Sequence, residues 1–328
     1  MRAAFYERTG PASEVLSIGE LPTPAPGPRE VRVRIAWSGV NPSDVKSRAG
    51  IRTKTPPFPR IVPHSDGSGV VDQVGEGVDR ARMGQRVWLW NAAWGRAHGT
   101  AAEYVVLPAP QAVPLPAGVA LAVGACLGIP ALTAYHAVTV DGSVKDKVVL
   151  VAGGAGAVGH YAVQLARLKG AKQVIATISN EKKAALALSA GADSVINYRQ
   201  EDLVKRCLDL TGGAGVDRII EVDLAVNVGA DLQVLRPEGE IVVYGSGAAE
   251  VQVPFVPAIL KMARFSFFIV YNLKTEDRLR AEAELTRLLA ENRLAHNIAA
   301  RLPLDRIAEA HELVEQGRTV GNVVLEVS

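Results

Sequence analysis

Cysteine is nearly missing from this 328-residue chain, which carries only Cys126 and Cys207. Two thiols cannot build a disulfide framework, and they cannot supply a multi-cysteine cluster for structural zinc. A dominant charge is missing too: 36 Lys and Arg stand against 34 Asp and Glu, a formal net charge of +2. No basic stripe or tail stands out, so nucleic acid is not the expected partner. Arg2, Glu7 and Arg8 leave no apolar leader at the N-terminus, and the chain reads as cytoplasmic. One apolar run, residues 119–138, has the length of a membrane span. Gly124, Gly128 and Pro130 interrupt it, and Thr133, Tyr135 and His136 close it. It therefore reads as buried helices between two domains, and no membrane partner is expected. Internal repeats and low-complexity tracts are also absent.

What is present is apolar residue, 48% of the chain, enough for well-formed cores. The length exceeds that of a usual single domain, so two domains are expected. The first segment, to about residue 118, is rich in Pro and Gly around short β-type runs at 31–37, 69–74, 86–90 and 102–107. That pattern predicts a mostly antiparallel β domain. From Lys147 the rhythm changes to strands at 147–152, 173–178, 194–197, 217–222, 240–244 and 265–271. Helical patterns at 181–190, 200–211 and 228–235 lie between them. The fold class is α/β, a doubly wound parallel sheet of the Rossmann type joined to the antiparallel β domain. The tail reads as helices at 276–291 and 305–316 and a strand at 322–327, and is expected to rejoin the first domain.

Residues 147–170, KVVLVAGGAGAVGHYAVQLARLKG, carry the most functional information. A strand enters a turn with Gly154, Gly156 and Gly159 in GxGxxG spacing, with Ala155, Ala157 and Val158 between them, and a helix follows. Gly154 is read as the tight turn, Gly156 as the point where backbone approaches a pyrophosphate, and Gly159 as the helix–strand contact. The helix N-terminus offers free N–H groups and partial positive charge to that anion. NAD-specific domains place an acid at the tip of the second strand, to bond the ribose hydroxyls. Here Ile178, Ser179 and Asn180 stand there, and Glu181 reads as the first-turn acid of the next helix. Lys182, Lys183, Tyr198 and Arg199 follow, so NADPH is favoured over NADH.

Five segments occur in order: SGVNPSD at 38–44, GIPALTAYHAV at 128–138, VAGGAGAVG at 151–159, GADSVINYR at 191–199 and VVYGSG at 242–247. Together they resemble the zeta-crystallin-like quinone oxidoreductases of the medium-chain dehydrogenase/reductase superfamily, over essentially the whole chain. The resemblance implies a GroES-like domain (1–120, completed by 273–328), a Rossmann domain (121–272), NADPH, and a substrate cleft between the domains. It also implies a homo-oligomer, a dimer or a tetramer. By position it places Lys183 and Tyr198 at the adenosine 2′-phosphate, with a lysine charge and a phenol hydrogen bond. Asn41 and Thr133 fall near the nicotinamide, Asn227 and Tyr244, Gly245 and Ser246 along the fifth-strand side, and Asn322 near the C-terminal strand.

The superfamily also holds zinc alcohol dehydrogenases, whose catalytic zinc takes two Cys and one His. His64 stands where those enzymes place their histidine, but Asn41 and Ile129 occupy the cysteine positions and Cys126 lies three residues early. No metal is expected, and His64 reads as a hydrogen-bonded structural or pocket histidine. Without a metal, a hydride acceptor must delocalise its own negative charge, as a quinone or conjugated enone does. Relatives carry Tyr five residues after the Asn of this motif, where this chain has Lys46. Lys46 can supply a proton or bond the acceptor oxygen, or it can point to solvent, so Asn41 and Lys46 are the catalytic candidates. Of the clustered tryptophans, Trp88 and Trp90 read as packing and Trp94 as a flat surface for a planar acceptor. The alternatives to a quinone reductase are a 2-alkenal or enoyl thioester reductase, and a non-catalytic NADPH-binding protein of crystallin-like or RNA-binding type.

Overall fold

The computed structural model describes residues 1–317 and 319–328. The chain forms two compact units, 1–130 with 282–328, and 131–281.

In the first unit, β1 (Arg2–Phe5) and β2 (Ser17–Glu20) form a two-stranded antiparallel sheet. They flank the short helix α1 (Ala12–Val15). The main strands are β3 (Glu30–Val40), β4 (Asp66–Val74), β5 (Arg86–Leu89), β6 (Tyr104–Pro108) and β7 (Ala112–Pro114). Helices α2 (Pro42–Arg48) and α3 (Leu121–Gly124) belong here too. Alternation explains β3, where Val31, Val33 and Ile35 are fully buried and the intervening residues are not.

The second unit begins with α4 (Leu132–Thr139) and continues through β8 (Val148–Val151), α5 (Ala157–Leu168), β9 (Gln173–Ile178), α6 (Glu181–Ser189) and β10 (Ser194–Asn197). It is completed by α7 (Leu203–Leu210), β11 (Val216–Glu221), α8 (Leu224–Val234), β12 (Leu235–Val243), α9 (Phe255–Leu260) and β13 (Arg264–Phe267). The chain passes back to the first unit within α10 (Thr275–Ala290) and ends with β14 (Ile298–Pro303), α11 (Ile307–Glu315) and β15 (Asn322–Glu326).

The six strands of the second unit are all parallel, in the order β10-β9-β8-β11-β12-β13. The order reverses at β8/β11, as in a doubly wound sheet. Its strands are buried on both faces: Val149, Leu150, Val174, Ile175, Ile219 and Ile241 are at most 1% exposed. The first unit holds a seven-stranded mixed sheet, β14-β15-β3-β4-β5-β7, with β6 paired to β3.

The apolar run 119–138 folds as α3, a π-helical turn at Leu127–Ala131 containing Pro130, and α4. Several expected spans shift at their ends; the helix expected at 228–235, for example, is α8 and starts four residues earlier, at Leu224. The strand read at 265–271 stops at Phe267, because Phe268 makes the last bond to the Val243 carbonyl (3.2 Å), where β12 ends. Conversely, β12 starts at Leu235, five residues before the expected 240, across a register shift between Val216 and Arg218.

Candidate cofactor and acceptor site

The glycine turn lies between β8 and α5. Gly153, which precedes the GxGxxG spacing, adopts the left-handed conformation (φ +65°). The tight turn is therefore made by Gly153 rather than by Gly154. Gly154 is required for a different reason: a Cβ there would sit 2.5 Å from the Ala176 Cβ on β9. A Cβ on Gly159 would meet the Gly153 carbonyl oxygen at 2.2 Å, so the first turn of α5 lies directly on the glycine loop. Thr177 fastens this loop to β9, accepting from Gly153 N–H through Oγ1 (2.9 Å) and from Gly154 N–H through its carbonyl (3.1 Å). Gly156 is the N-cap of α5 and no side chain caps it. The N–H groups of Ala157, Val158 and Gly159 begin the helix, as orphan donors of a helix start do.

At the end of β9, Ser179 is buried and Asn180 caps α6, its Oδ1 accepting from the Lys183 N–H (3.0 Å). Glu181 is the first residue of that helix, where an acid favours the dipole. The half-buried Lys183 ammonium donates to Ser179 Oγ (3.0 Å). Tyr198 follows β10 with its side chain half exposed, and its N–H donates to the Ile178 carbonyl (3.2 Å). Ser179, Lys183 and Tyr198 are thus brought together at one corner of the sheet, with a hydroxyl, a cation and a phenol and no carboxylate at the strand tip.

Asn227 stands on α8 after β11, and Tyr244, Gly245 and Ser246 follow β12. The two loops are tied: Asp223 Oδ1 accepts the Gly247 N–H (2.7 Å), and a Cβ on Gly245 would lie 2.3 Å from the Val222 carbonyl oxygen. Thr133 is buried in α4. A cavity of about 750 Å³ opens beside Tyr244–Ser246, walled by His136, Val243, Val251 and Phe268. The second-unit residues at 154–159, 179, 183, 198, 227 and 244–246 all lie at the carboxyl ends of parallel strands, where doubly wound sheets bind ligands.

The first unit holds the remaining candidates. Asn41 caps α2 in a capping box: its N–H donates to Asp44 Oδ2 (2.8 Å), and its side chain accepts the Asp44 N–H. Its Nδ2 donates to Asp66 Oδ2 (2.9 Å). Burial pushes Asp44 up to about 7 and Asp66 well above the usual carboxylate range. Register places Val40 opposite Val323 and Gly39 opposite Asp66, so Asn41, Asp66 and the buried Asn322 share one end of the sheet. Lys46 is half-buried on α2. Trp94 lies on the loop after β5, 41% exposed, whereas Trp88 is fully buried in β5.

His64 is fully buried, with a left-handed backbone (φ +78°). Its Nδ1 lies 2.8 Å from Ser38 Oγ, and its Nε2 lies 2.9 Å from the Nε2 of the buried His311. Thr100 donates to the Asp66 carbonyl, and Ser38 Oγ lies 2.7 Å from Thr100 Oγ1. One proton arrangement satisfies this chain. Ser38 donates to Thr100, His64 Nδ1–H to Ser38, and His311 Nε2–H to His64 Nε2. Both ring nitrogens of His64 are therefore engaged. Burial lowers the His64 pKa to about 3, and burial with the neighbouring His64 lowers His311 well below its ordinary value.

These side chains do not fit a catalytic zinc. His64 has no spare nitrogen, the Asn41 amide is turned to Asp44 and Asp66, and Ile129 offers only hydrocarbon. Cys126 donates to the Ala122 carbonyl (3.6 Å), and burial pushes its thiol far above the ordinary range.

Sequence reasoning missed Gly153, Thr177, Asp223, Glu221, Asp231 and His311. Glu221 alone left a signal, a charged residue closing the apolar run Ile219–Ile220 at a strand end. The others become visible only through the register and helix packing that bring distant residues together.

Residues 27–117 match the family described as alcohol dehydrogenase GroES-like domain, and residues 157–288 match that described as zinc-binding dehydrogenase. The chain is 30% identical to the quinone oxidoreductase of Homo sapiens over 331 residues, covering 99% of this chain and 97% of the relative. A solved structure of an NAD-dependent alcohol dehydrogenase superposes with a TM-score of 0.92 at 32% identity, covering all of both chains. The Escherichia coli quinone oxidoreductase complexed with NADPH superposes with a TM-score of 0.89 at 28% identity, again over both whole chains.

Proposed function

This chain belongs to the medium-chain dehydrogenase/reductase family, in its quinone oxidoreductase group, and on that premise we propose that it carries hydride from NADPH to a quinone or similar conjugated carbonyl without zinc. It is an oxidoreductase with NADPH as its cofactor, the dinucleotide held in the solved E. coli relative. The observation that carries the reading is the corner made by Ser179, Lys183 and Tyr198, which offers a phosphate a cation and two hydroxyls. An NAD enzyme would have its carboxylate there.

In this reading the N–H groups at 157–159 hold the pyrophosphate, while Lys183 and Tyr198 hold the 2′-phosphate. Asn227, Thr133 and Tyr244–Ser246 flank the nicotinamide half. The bound cofactor supplies a hydride from its nicotinamide ring. The residues do the rest. They bind and orient the dinucleotide, and Lys46 hydrogen-bonds the acceptor oxygen as charge develops there. Asn41 acts through position, holding α2 by its cap, and Trp94 and Asn322 are the remaining candidates in its unit. Zinc independence is supported by the engaged nitrogens of His64 and by the absence of thiolates at positions 41 and 129. Without a Lewis acid, acceptors that spread their negative charge are favoured.

The partner in solution is proposed to be a second copy. β13 is an edge strand of the parallel sheet, and Phe267 on it and Phe255, Leu260 and Met262 beside it are each more than half exposed. So apolar an edge is an aggregation hazard unless covered.

The test is NADPH oxidation across a panel of 1,2-naphthoquinone, a 2-alkenal and an enoyl thioester, with NADH as the control donor. Fastest turnover of the quinone with NADPH is expected. Preference for the alkenal or thioester moves the assignment to conjugated double-bond reduction. Tight NADPH binding with no acceptor turned over makes the protein a cofactor-binding module.

A further inference from the structure

Glu221, at the carboxyl end of β11, and Asp231, on α8, are two buried acids. Glu221 is fully buried, and Asp231, on α8, is 2% exposed. Glu221 Oε1 accepts the Asn227 Nδ2–H (2.9 Å) and the backbone N–H of Asp223. Its Oε2 and Asp231 Oδ2 are both buried with no donor on them, and the two side chains are neighbours that act on one another. Two carboxylates in that contact would repel, and each would leave a buried oxygen without a donor. A single proton between them removes both problems.

The groups acting on the pair are Asp223 in the loop after β11, Asn227 on the same helix as Asp231, and Tyr244, which follows β12. Among the described residues no lysine or arginine contributes. With no cation to hold both acids ionised, burial and the Glu221 charge push Asp231 up to about 9. Asp231 is then the acid that donates O–H to Glu221 Oε2, and Glu221 is an anion with three donors.

That arrangement fixes Asn227. A carboxylate only accepts, so the amide nitrogen must turn to Glu221, and the carbonyl oxygen must turn away. Asn227 is half-buried, one helical turn before Asp231 on the same face of α8. We propose that Asp231 is the positioning residue of the nicotinamide side. Acting through Glu221, it locks Asn227 with its amide oxygen outward, as the acceptor for a ribose hydroxyl or carboxamide N–H of NADPH. The inference rests on the NADPH reading above and deepens it.

The test compares wild type with Asp231→Asn and Asp231→Ala by fluorescence titration of NADPH. The asparagine amide can still donate to Glu221 but cannot ionise, so it should bind NADPH within about twofold of wild type at neutral pH. Asp231→Ala strips the donor and should weaken binding about tenfold. The pH profile is the readout that a merely structural role would not move. Above about pH 9, wild type should lose affinity relative to Asp231→Asn, because deprotonation leaves two buried anions. Melting of the cofactor-free protein gives a second measure. Asp231 keeps its proton when folded and loses it on unfolding, so wild type should lose stability relative to Asp231→Asn as pH rises towards about 9.

Identical pH profiles for wild type and Asp231→Asn would overturn the inference while leaving NADPH binding intact. A wild-type protein that binds no NADPH would overturn both this and the reading it rests on. Should Asp231→Ala fail to fold, the Asp231→Asn profile decides alone.

Discussion

Ser179 and Lys183 set the charge that a dinucleotide meets at the end of β9. The ammonium rests on Ser179 Oγ at 3.0 Å, so it is already aimed at the strand tip. A charge-assisted contact to a phosphate is worth about 1.5–3 kcal/mol, so Lys183→Ala should weaken NADPH roughly ten- to a hundredfold and leave NADH nearly unchanged. Ser179→Asp should go further, because the new carboxylate would both pair with Lys183 and repel the phosphate. Equal loss of both dinucleotides in a binding titration would break the phosphate assignment. The buried histidines make a separate prediction at this scale. His64 at about 3, and His311 lower than usual, stay neutral in the fold, whereas the unfolded chain binds protons below about pH 6.5. Stability present above that pH should therefore fall by roughly 1.4 kcal/mol per pH unit for each histidine as the solution is acidified. His311→Gln keeps a donor for His64 Nε2 and should remove about half of that slope in urea unfolding between about pH 7 and about pH 5. An unchanged slope would mean that the pair carries protons when folded.

At the scale of elements, the glycine loop, β9 and α5 form one unit held by contacts that tolerate no side chain. Gly159→Ala would drive a Cβ to 2.2 Å from the Gly153 carbonyl oxygen. That overpacking should cost about 1–3 kcal/mol and weaken NADPH and NADH alike, since both share the pyrophosphate. Selective loss of one dinucleotide would separate the loop from the pyrophosphate. Much of this element was legible in the sequence, because strand, glycine spacing and amphipathic helix each leave a periodic trace. The acid-free tip at Ser179 was legible for the same reason. What was not legible was set by partners distant in the chain. Nothing local marks Gly153 rather than Gly154 as the left-handed residue. Residues Arg236, Pro237, Glu238 and Gly239, turn-like in composition, form an irregular stretch between the Val216–Leu235 and Arg218–Glu240 pairings, with Glu238 left-handed (φ +60°), so only the single pairing at Leu235 ahead of them left no local trace. The end of β13 at Phe267 likewise reflects where β12 stops, although its sequence stays apolar to Tyr271. His64 and His311, 247 positions apart, could not be paired from the sequence at all.

At the scale of the whole molecule, the exposed apolar surface around β13 is the feature from which the dimer is proposed. Phe255 is 72% exposed and Leu260 75%, beside the unpaired edge of a six-stranded sheet. The proposed dimer should appear by light scattering at micromolar concentration, and Phe267→Lys should shift it towards monomer. A monomeric wild type would remove the edge from the account. Hydride is proposed to pass from NADPH to a conjugated acceptor with no zinc taking part. The most direct measurement is the rate of NADPH oxidation by 1,2-naphthoquinone in enzyme dialysed against a strong chelator, with ordinary and C4-deuterated NADPH compared. Full activity in the chelated enzyme, metal analysis far below one zinc per chain and a slower rate with deuterium are expected. Activity that disappears on chelation and returns with added zinc would contradict it.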